Sequence, residues 1–304
     1  MRTVHRLMGA AIPRRVAIGA LAGLLGTGGG AAQAPVNAAQ SGVQGIRLYV
    51  LDGGTLIYNN PETYNLTRQE VGNTNMSVAC YLIVHPRGTL LYDTGLGDRY
   101  LGRPFNLSTL GNRPDPPSTS FFVLVTRTLE SQLTAIGHPP QGIDFLALSH
   151  PHGDHVGNAN AFAAATWLVH QGDYDTMFGP AVAPESINPA YAALKNATRR
   201  IAEGDHDVFG DGTVVLKHTP GHTPGHQSLY VKLPRTGGVV LSGDLYHYPE
   251  ERTLNRMPER EKSTATPASR AALETFLKAA GAALWIGHDI TAYSRQKHAP
   301  EYYE

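Results

Sequence analysis

Apolar residues in this chain come in short runs bounded by glycine, proline and aspartate, and most of the runs have the length of a strand. Residues 46–51 (IRLYVL), 77–84 (SVACYLIV) and 143–148 (IDFLAL) read as buried strands. Residues 89–92 follow the turn His85-Pro86-Arg87-Gly88 and complete a hairpin with 77–84. Further strands are expected at 166–170 (TWLVH), 213–217, 228–233, 238–241 and 283–286. Helical spacing stands out in two places. The apolar pattern of 121–136, with Leu129, Leu133 and Ile136, suits a helix, and Leu273, Phe276 and Leu277 mark another that opens at Thr266-Pro267 and closes at Gly281. The alanine-rich residues 160–165 and the run 189–202 are also expected to be helical. Residues 102–120, with Pro104, Pro114, Pro116 and Pro117, should form an exposed loop. The proline-broken stretch 172–202 suits either a substrate lid or plain packing.

The polar residues are concentrated where these strands end. SHPHGDHVGN (149–158) follows strand 143–148 and places His150, His152, Asp154 and His155 within six positions. Alternation along an extended chain can aim His150 and His152 the same way, and Gly153 lets Asp154 and His155 turn back towards them. Three imidazoles and a carboxylate exceed what one four-coordinate metal with an open position requires, so two metals side by side are expected. HTPGHTPGH (218–226) is a second metal-competent cluster, of which one histidine need be a ligand. The residues alone leave His222 and His226 as equal choices. Asp244 follows strand 238–241 and has two oxygens with which to bridge two ions, and His288 follows the last strand. Asp93, also at a strand end, either caps a turn or orients a metal-bound histidine. His170 ends strand 166–170 and reads as a turn residue in preference to a pocket rim. This arrangement suits an α/β sandwich of two sheets that gathers its loops at one edge, with helices over the outer faces.

Composition narrows the field. At 304 residues and 41% hydrophobic, the chain can bury a full core. A net charge of +0 without any basic block argues against nucleic acid as a partner. Cys80 is the only cysteine, which excludes an internal disulfide and a thiolate metal cage, and its apolar surroundings point to core packing. Residues 1–38 look like a cleaved export signal: Arg2, Arg6, Arg14 and Arg15 precede the apolar run 16–25, and small residues follow. The run is too short to span a bilayer, so no stable membrane insertion is expected after cleavage. The expected destination is the periplasm or the exterior, by a twin-arginine or general secretory route, with residues 39–304 forming the working domain.

These spaced motifs resemble the metallo-β-lactamase superfamily over residues 46–304. The resemblance implies an αββα sandwich of two mixed sheets flanked by helices. It also implies one metal held by His150, His152 and His222, another by Asp154, His155 and His288, and Asp244 bridging them. Two divalent ions are implied, zinc first, with iron, cobalt or manganese also suited to the ligand set. Within the superfamily, RLYVLDGG (47–54), TPGHTPGHQSL (219–229), WIGHD (285–289) and APEYYE (299–304) are similar to the N-acyl homoserine lactonases. The implied reaction is opening of the lactone ring by a metal-bridging hydroxide, with Asp154 or Asp244 moving the proton. Lactonases of this kind carry a tyrosine three positions after the bridging aspartate; here that position is His247, preceded by Tyr246. Either side chain is therefore expected to contact the substrate carbonyl. Phe121, Phe122, Met177, Phe178 and Leu245 are offered as a bed for the acyl tail. The expected partner is a small lactone or ester, with other dinuclear ester, thioester or phosphotriester hydrolases as the alternative and a homodimer left open. Asp244 argues against a true β-lactamase, which generally lacks that bridging carboxylate.

Overall fold

The computed structural model describes residues 45–304 apart from 59, 103 and 107–121. The expected export segment, most of the proline-rich loop and Phe121 lie outside the described residues.

The chain begins with a hairpin of β1 (Arg47–Ile57) and β2 (Met76–His85), continued by β3 (Gly88–Tyr92) and the short β4 (Phe105–Asn106) and β5 (Phe122–Leu124). Helix α1 (Leu129–Ala135), β6 (Phe145–Ala147), β7 (Thr166–His170), α2 (Gln171–Phe178) and β8 (Arg199–Ala202) complete the first half. The second half runs β9 (His206–Asp207), β10 (Val214–His218), β11 (Gln227–Leu233), β12 (Gly237–Leu241), α3 (Pro249–Thr253), α4 (Thr266–Ala280), β13 (Ala283–Trp285) and α5 (Ile290–Tyr293). The strands form an eight-stranded sheet in the order β4-β5-β1-β2-β3-β6-β7-β8 and a five-stranded one in the order β13-β12-β11-β10-β9. Both are mixed: β3, β6, β7 and β8 run parallel, as do β12 and β13, while the hairpins are antiparallel.

Alternation along each strand decides the layers. Leu48, Val50, Ile83, Leu90 and Leu168 point inward from the large sheet and meet Leu216, Leu229, Val231, Val239 and Leu241 of the small one. Their neighbours Leu51, Leu82, Leu91, Leu146 and Trp167 point outward and are covered by α1 and α2 through Leu129, Leu133 and Met177. On the far side, Tyr230 and Val240 are covered by Leu273 and Leu277 of α4. The result is the expected αββα sandwich. Each buried leucine of these layers contributes about 1.5–3 kcal/mol.

Several expectations are corrected. No helix fills 121–136: Phe122–Leu124 is a strand, because β1 runs on past residue 51 and offers Thr55, Leu56 and Ile57 as partners. The helix is confined to Leu129–Ala135, capped by the Thr128 hydroxyl. Part of the proline-rich loop, Phe105–Asn106, pairs with β5. Residues 160–165 supply only a 3-10 turn at Ala159–Phe162. The run 189–202 holds a 3-10 turn, Ala192–Asn196, and then strand β8, since β7 offers an open edge with Trp167 facing Arg199. Ala190, Tyr191, Leu194 and Ala197 are buried against the large sheet, so this end of the 172–202 stretch is packed. Met177 and Phe178 face Trp167 and Leu245 joins the α4 layer, which removes all three from any acyl-tail bed.

Candidate metal centre

β3, β6, β10, β12 and β13 deliver their following residues to one edge of the sandwich, and the side chains singled out in the sequence meet there. Asp244 lies at the middle, buried, in a 3-10 turn immediately after β12. Its Oδ2 is 3.3 Å from Nε2 of His150, of His222 and of His247. Its Oδ1 is 3.1 Å from Nε2 of His155 and of His288. Asp154 Oδ2 stands 3.5 Å from those same two nitrogens. His152 presents Nδ1 instead, 2.8 Å from His150 Nε2 and 3.0 Å from His222 Nε2.

The donors therefore fall into two groups. His150, His152, His222 and Asp244 form one and Asp154, His155 and His288 the other, each with its ligand atoms within 4.8 Å of one another. One oxygen of Asp244 faces each group.

Surrounding acceptors fix which nitrogen of each ring faces inward. Asp93 accepts from His155 Nδ1 at 2.8 Å and from the Ser149 amide at 2.6 Å. Glu261 accepts from His222 Nδ1 at 2.9 Å, Glu251 from His247 Nδ1 at 3.2 Å, and the Ser77 carbonyl from His288 Nδ1 at 2.7 Å. With Nδ1 engaged in this way, His155, His222 and His288 present Nε2 to the centre as the ligand atom. His155 Nε2 and Asp244 Oδ1 are buried and have no hydrogen-bond partner. Two buried acceptors aimed at one point, beside nitrogens as close as 2.8 Å, would be costly without a cation between them. The donor set fits two divalent ions.

Electrostatics follow the geometry. Burial and then the positive charge of His155 hold His150 well below its ordinary range. Burial opposes ionisation of Asp244, but the surrounding imidazoles, His155 first, overcome it and keep the carboxyl well below its usual range. Burial also opposes the charged form of His247, and Asp244 and Glu251 reverse this and push it up to about 10.

His226 does not belong to the donor set. Its Nδ1 bonds Thr219, and its Nε2 accepts the backbone N–H of Asp244 at 3.0 Å. Buried, and pushed down to about 3 by that burial, it holds Asp244 in place as a neutral ring. Gly243 is required beside it: its φ is +53°, and a Cβ would lie 2.7 Å from His226 Nε2. Asp93 itself takes φ +61°, a strained backbone that aims its carboxylate at His155.

Tyr246 is turned away from the centre. Its hydroxyl donates to Glu274 at 3.1 Å, and Arg270 lies over its ring 4.3 Å from the centroid. Sequence reasoning missed Glu251 and Glu261. Glu251 is fully buried, accepts the His247 and Tyr248 amides and pairs with Arg270 at 2.8 Å. Its position four residues after His247 in a proline-started helix was the available signal; Glu261 offered none, since it arrives from 39 residues beyond His222.

Comparisons with known proteins bear on the family and the fold. Residues 73–288 match the metallo-beta-lactamase superfamily. N-acyl homoserine lactonase AttM of Rhizobium johnstonii is 30% identical over 270 residues, covering 85% of this chain and 98% of that protein. An N-acyl homoserine lactonase of a Bacillus species is 28% identical over 261 residues, covering 84% and 98%. Among solved structures, an AiiA variant of Bacillus thuringiensis with N-decanoyl-L-homoserine bound shares the fold at TM-score 0.70 and 24% identity, over 86% of this chain and 100% of that one. A quorum-quenching N-acyl homoserine lactone hydrolase is similar at TM-score 0.68 and 25% identity, over 86% and 99%. With a family match through every strand-end motif and two donor groups at one sandwich edge, the chain belongs to the metallo-β-lactamase superfamily.

Proposed function

We propose that this metal-dependent hydrolase opens the lactone ring of N-acyl homoserine lactones at a dinuclear centre. The observation that carries the reading is Asp244, a buried carboxylate with one oxygen turned to each of two donor groups. Similarity to lactonases over 84–85% of this chain and 98% of those proteins supports this substrate class. His150, His152 and His222 would hold one ion, Asp154, His155 and His288 the other, and Asp244 both. Bound there, divalent ions supply Lewis acidity, polarising an ester carbonyl and bringing the ionisation of water towards neutral pH.

The chain's own groups do the rest. Asp93, Glu261 and the Ser77 carbonyl lock the imidazoles in the orientation that presents Nε2. His247, held by Glu251 and facing Asp244, can donate a hydrogen bond to developing negative charge. Asp154 is less buried than Asp244 and is placed to pass a proton to the departing alkoxide.

The test is proton release from a long-chain N-acyl homoserine lactone, beside an aryl ester, a phosphotriester and a β-lactam, on protein of measured metal content. Chelator-sensitive turnover of the lactone above the others is the expected result. Turnover confined to the ester or phosphotriester would keep the dinuclear hydrolase and remove the lactonase.

A further inference from the structure

Tyr64 lies against His247, and three other tyrosines nearby in chain or space have committed hydroxyls. Tyr246 donates to Glu274 at 3.1 Å, Tyr248 donates to the Thr74 carbonyl at 2.7 Å, and Tyr58 shares a 2.7 Å hydrogen bond with Thr63. Among the described residues the Tyr64 hydroxyl has no such partner. Tyr64 ends the 3-10 turn Pro61–Tyr64 between β1 and β2, and left-handed Asn65 stops the turn there. Its ring lies against His247, centroids 4.2 Å apart at 43°, and meets Tyr58 and Tyr248 edge-on. His247 Nε2 is itself 3.3 Å from Asp244 Oδ2. Tyr64 is thus one ring away from the carboxylate that both donor groups share, and it is only half-buried, so part of it remains open to an incoming molecule. Burial and then the negative charge of Asp244 hold the phenol well above its ordinary range, which keeps it a donor at any working pH.

We propose that Tyr64 is a catalytic residue that donates a hydrogen bond to the substrate's acyl oxygen, the task the family resemblance assigns to a tyrosine at position 247. The inference rests on the lactonase reading for its substrate. Water adds to the lactone carbonyl carbon, the ring C–O bond breaks, and the ring oxygen leaves as an alcohol carrying one of the water's protons. The new carboxylic acid ionises and releases the other proton. Tyr64 stabilises the negative oxygen formed on the way and keeps its own proton throughout.

The test compares Tyr64→Phe, which keeps the ring against His247, with Tyr248→Phe, which removes a hydroxyl already bonded to the backbone. The readouts are metal stoichiometry, kcat and KM on a long-chain N-acyl homoserine lactone and on an aryl ester, and inhibition by the ring-opened acyl homoserine. Tyr64→Phe is expected to retain its metal and lose about 10²-fold in kcat with little change in KM. Inhibition by the product should weaken in parallel, and Tyr248→Phe should keep its kcat. Full kcat in Tyr64→Phe, or a kcat loss accompanied by metal loss, overturns the proposal in favour of a packing role. If the wild type proves to turn over only the ester, the lactonase reading fails by itself, and the ratio of Tyr64→Phe to wild type on that ester still decides whether the phenol acts.

Discussion

Two histidine clusters sit at strand ends in this molecule, and the difference between them shows what makes a metal centre. Around Asp244, four of the rings, His155, His222, His247 and His288, have an acceptor on the outer nitrogen and a carboxylate facing the inner one. At the other cluster His170 ends β7, His206 opens β9 and His218 ends β10. His206 pairs with Leu216, so it shares with His218 the face that looks into the space between the sheets. His170 and His218 stack as parallel rings, centroids 4.0 Å apart at 18°. The nearby carboxylate of Asp205 is occupied by the His218 amide and by Lys217. Nε2 of His170 and of His206 are buried without partners, yet among the described residues only the Asp244 cluster brings three or more donors within 4.8 Å. Histidines alone produced an aromatic stack. Carboxylates placed on both sides of the rings produced a cage for cations.

Substitutions on each side test this difference. Removing the shared carboxylate should have the largest effect: Asp244→Ala is expected to lose bound metal and about 10³-fold of turnover together, seen by elemental analysis and proton release. A variant with full metal and full turnover would place the bridging function elsewhere. Next comes an outer acceptor. Glu261→Gln should weaken metal binding by about 10–100-fold in a chelator competition, because His222 loses the carboxylate that fixes its tautomer. Unchanged affinity would mean that the cage does not need the acceptors around it.

The stacked pair makes a different prediction, in acid. Burial, and then the charge of His218, push the buried His170 down to about 4 from an ordinary 6.5. As pH falls, the unfolded chain takes up this proton first, so stability present above pH 6.5 is lost between 6.5 and 4. The loss amounts to about 3 kcal/mol at most. In metal-free protein, His170→Gln should flatten the decline of thermal midpoint over that window, whereas an unaltered slope would show that the pair is not what titrates. The smallest effect is expected at Tyr246. Tyr246→Phe removes one hydrogen bond to Glu274, about 1 kcal/mol of stability, and should leave turnover unchanged. A large loss of kcat there would return the phenol's task to Tyr246.

Legibility differed by the range of the forces involved. Most strands of both sheets and the helix from Thr266 could be read from residue order, because alternation, caps and terminal glycines act within a few positions. The misread segments were those whose partners lie far away. Phe122–Leu124 became a strand when β1 extended beside it, and Arg199–Ala202 did so at the open edge of β7.

The same division runs through the centre. Residue type and strand-end position by themselves determined that His150, His152, Asp154, His155, Asp244 and His288 could serve a metal, since a strand carries its last residues to a sheet edge whatever its neighbours are. Position could not separate His222 from His226, or His247 from Tyr246, because both members of each pair lie on the same short turns. The tertiary structure separated them. His226 turns its nitrogen to the Asp244 amide, and Tyr246 turns its hydroxyl to Glu274 on α4. It also brought in Tyr64, Glu251 and Glu261, whose orientation towards the rings depends on packing across three separate segments. Directional hydrogen bonds between distant residues exist only once the sheets have closed, and no local pattern encodes them.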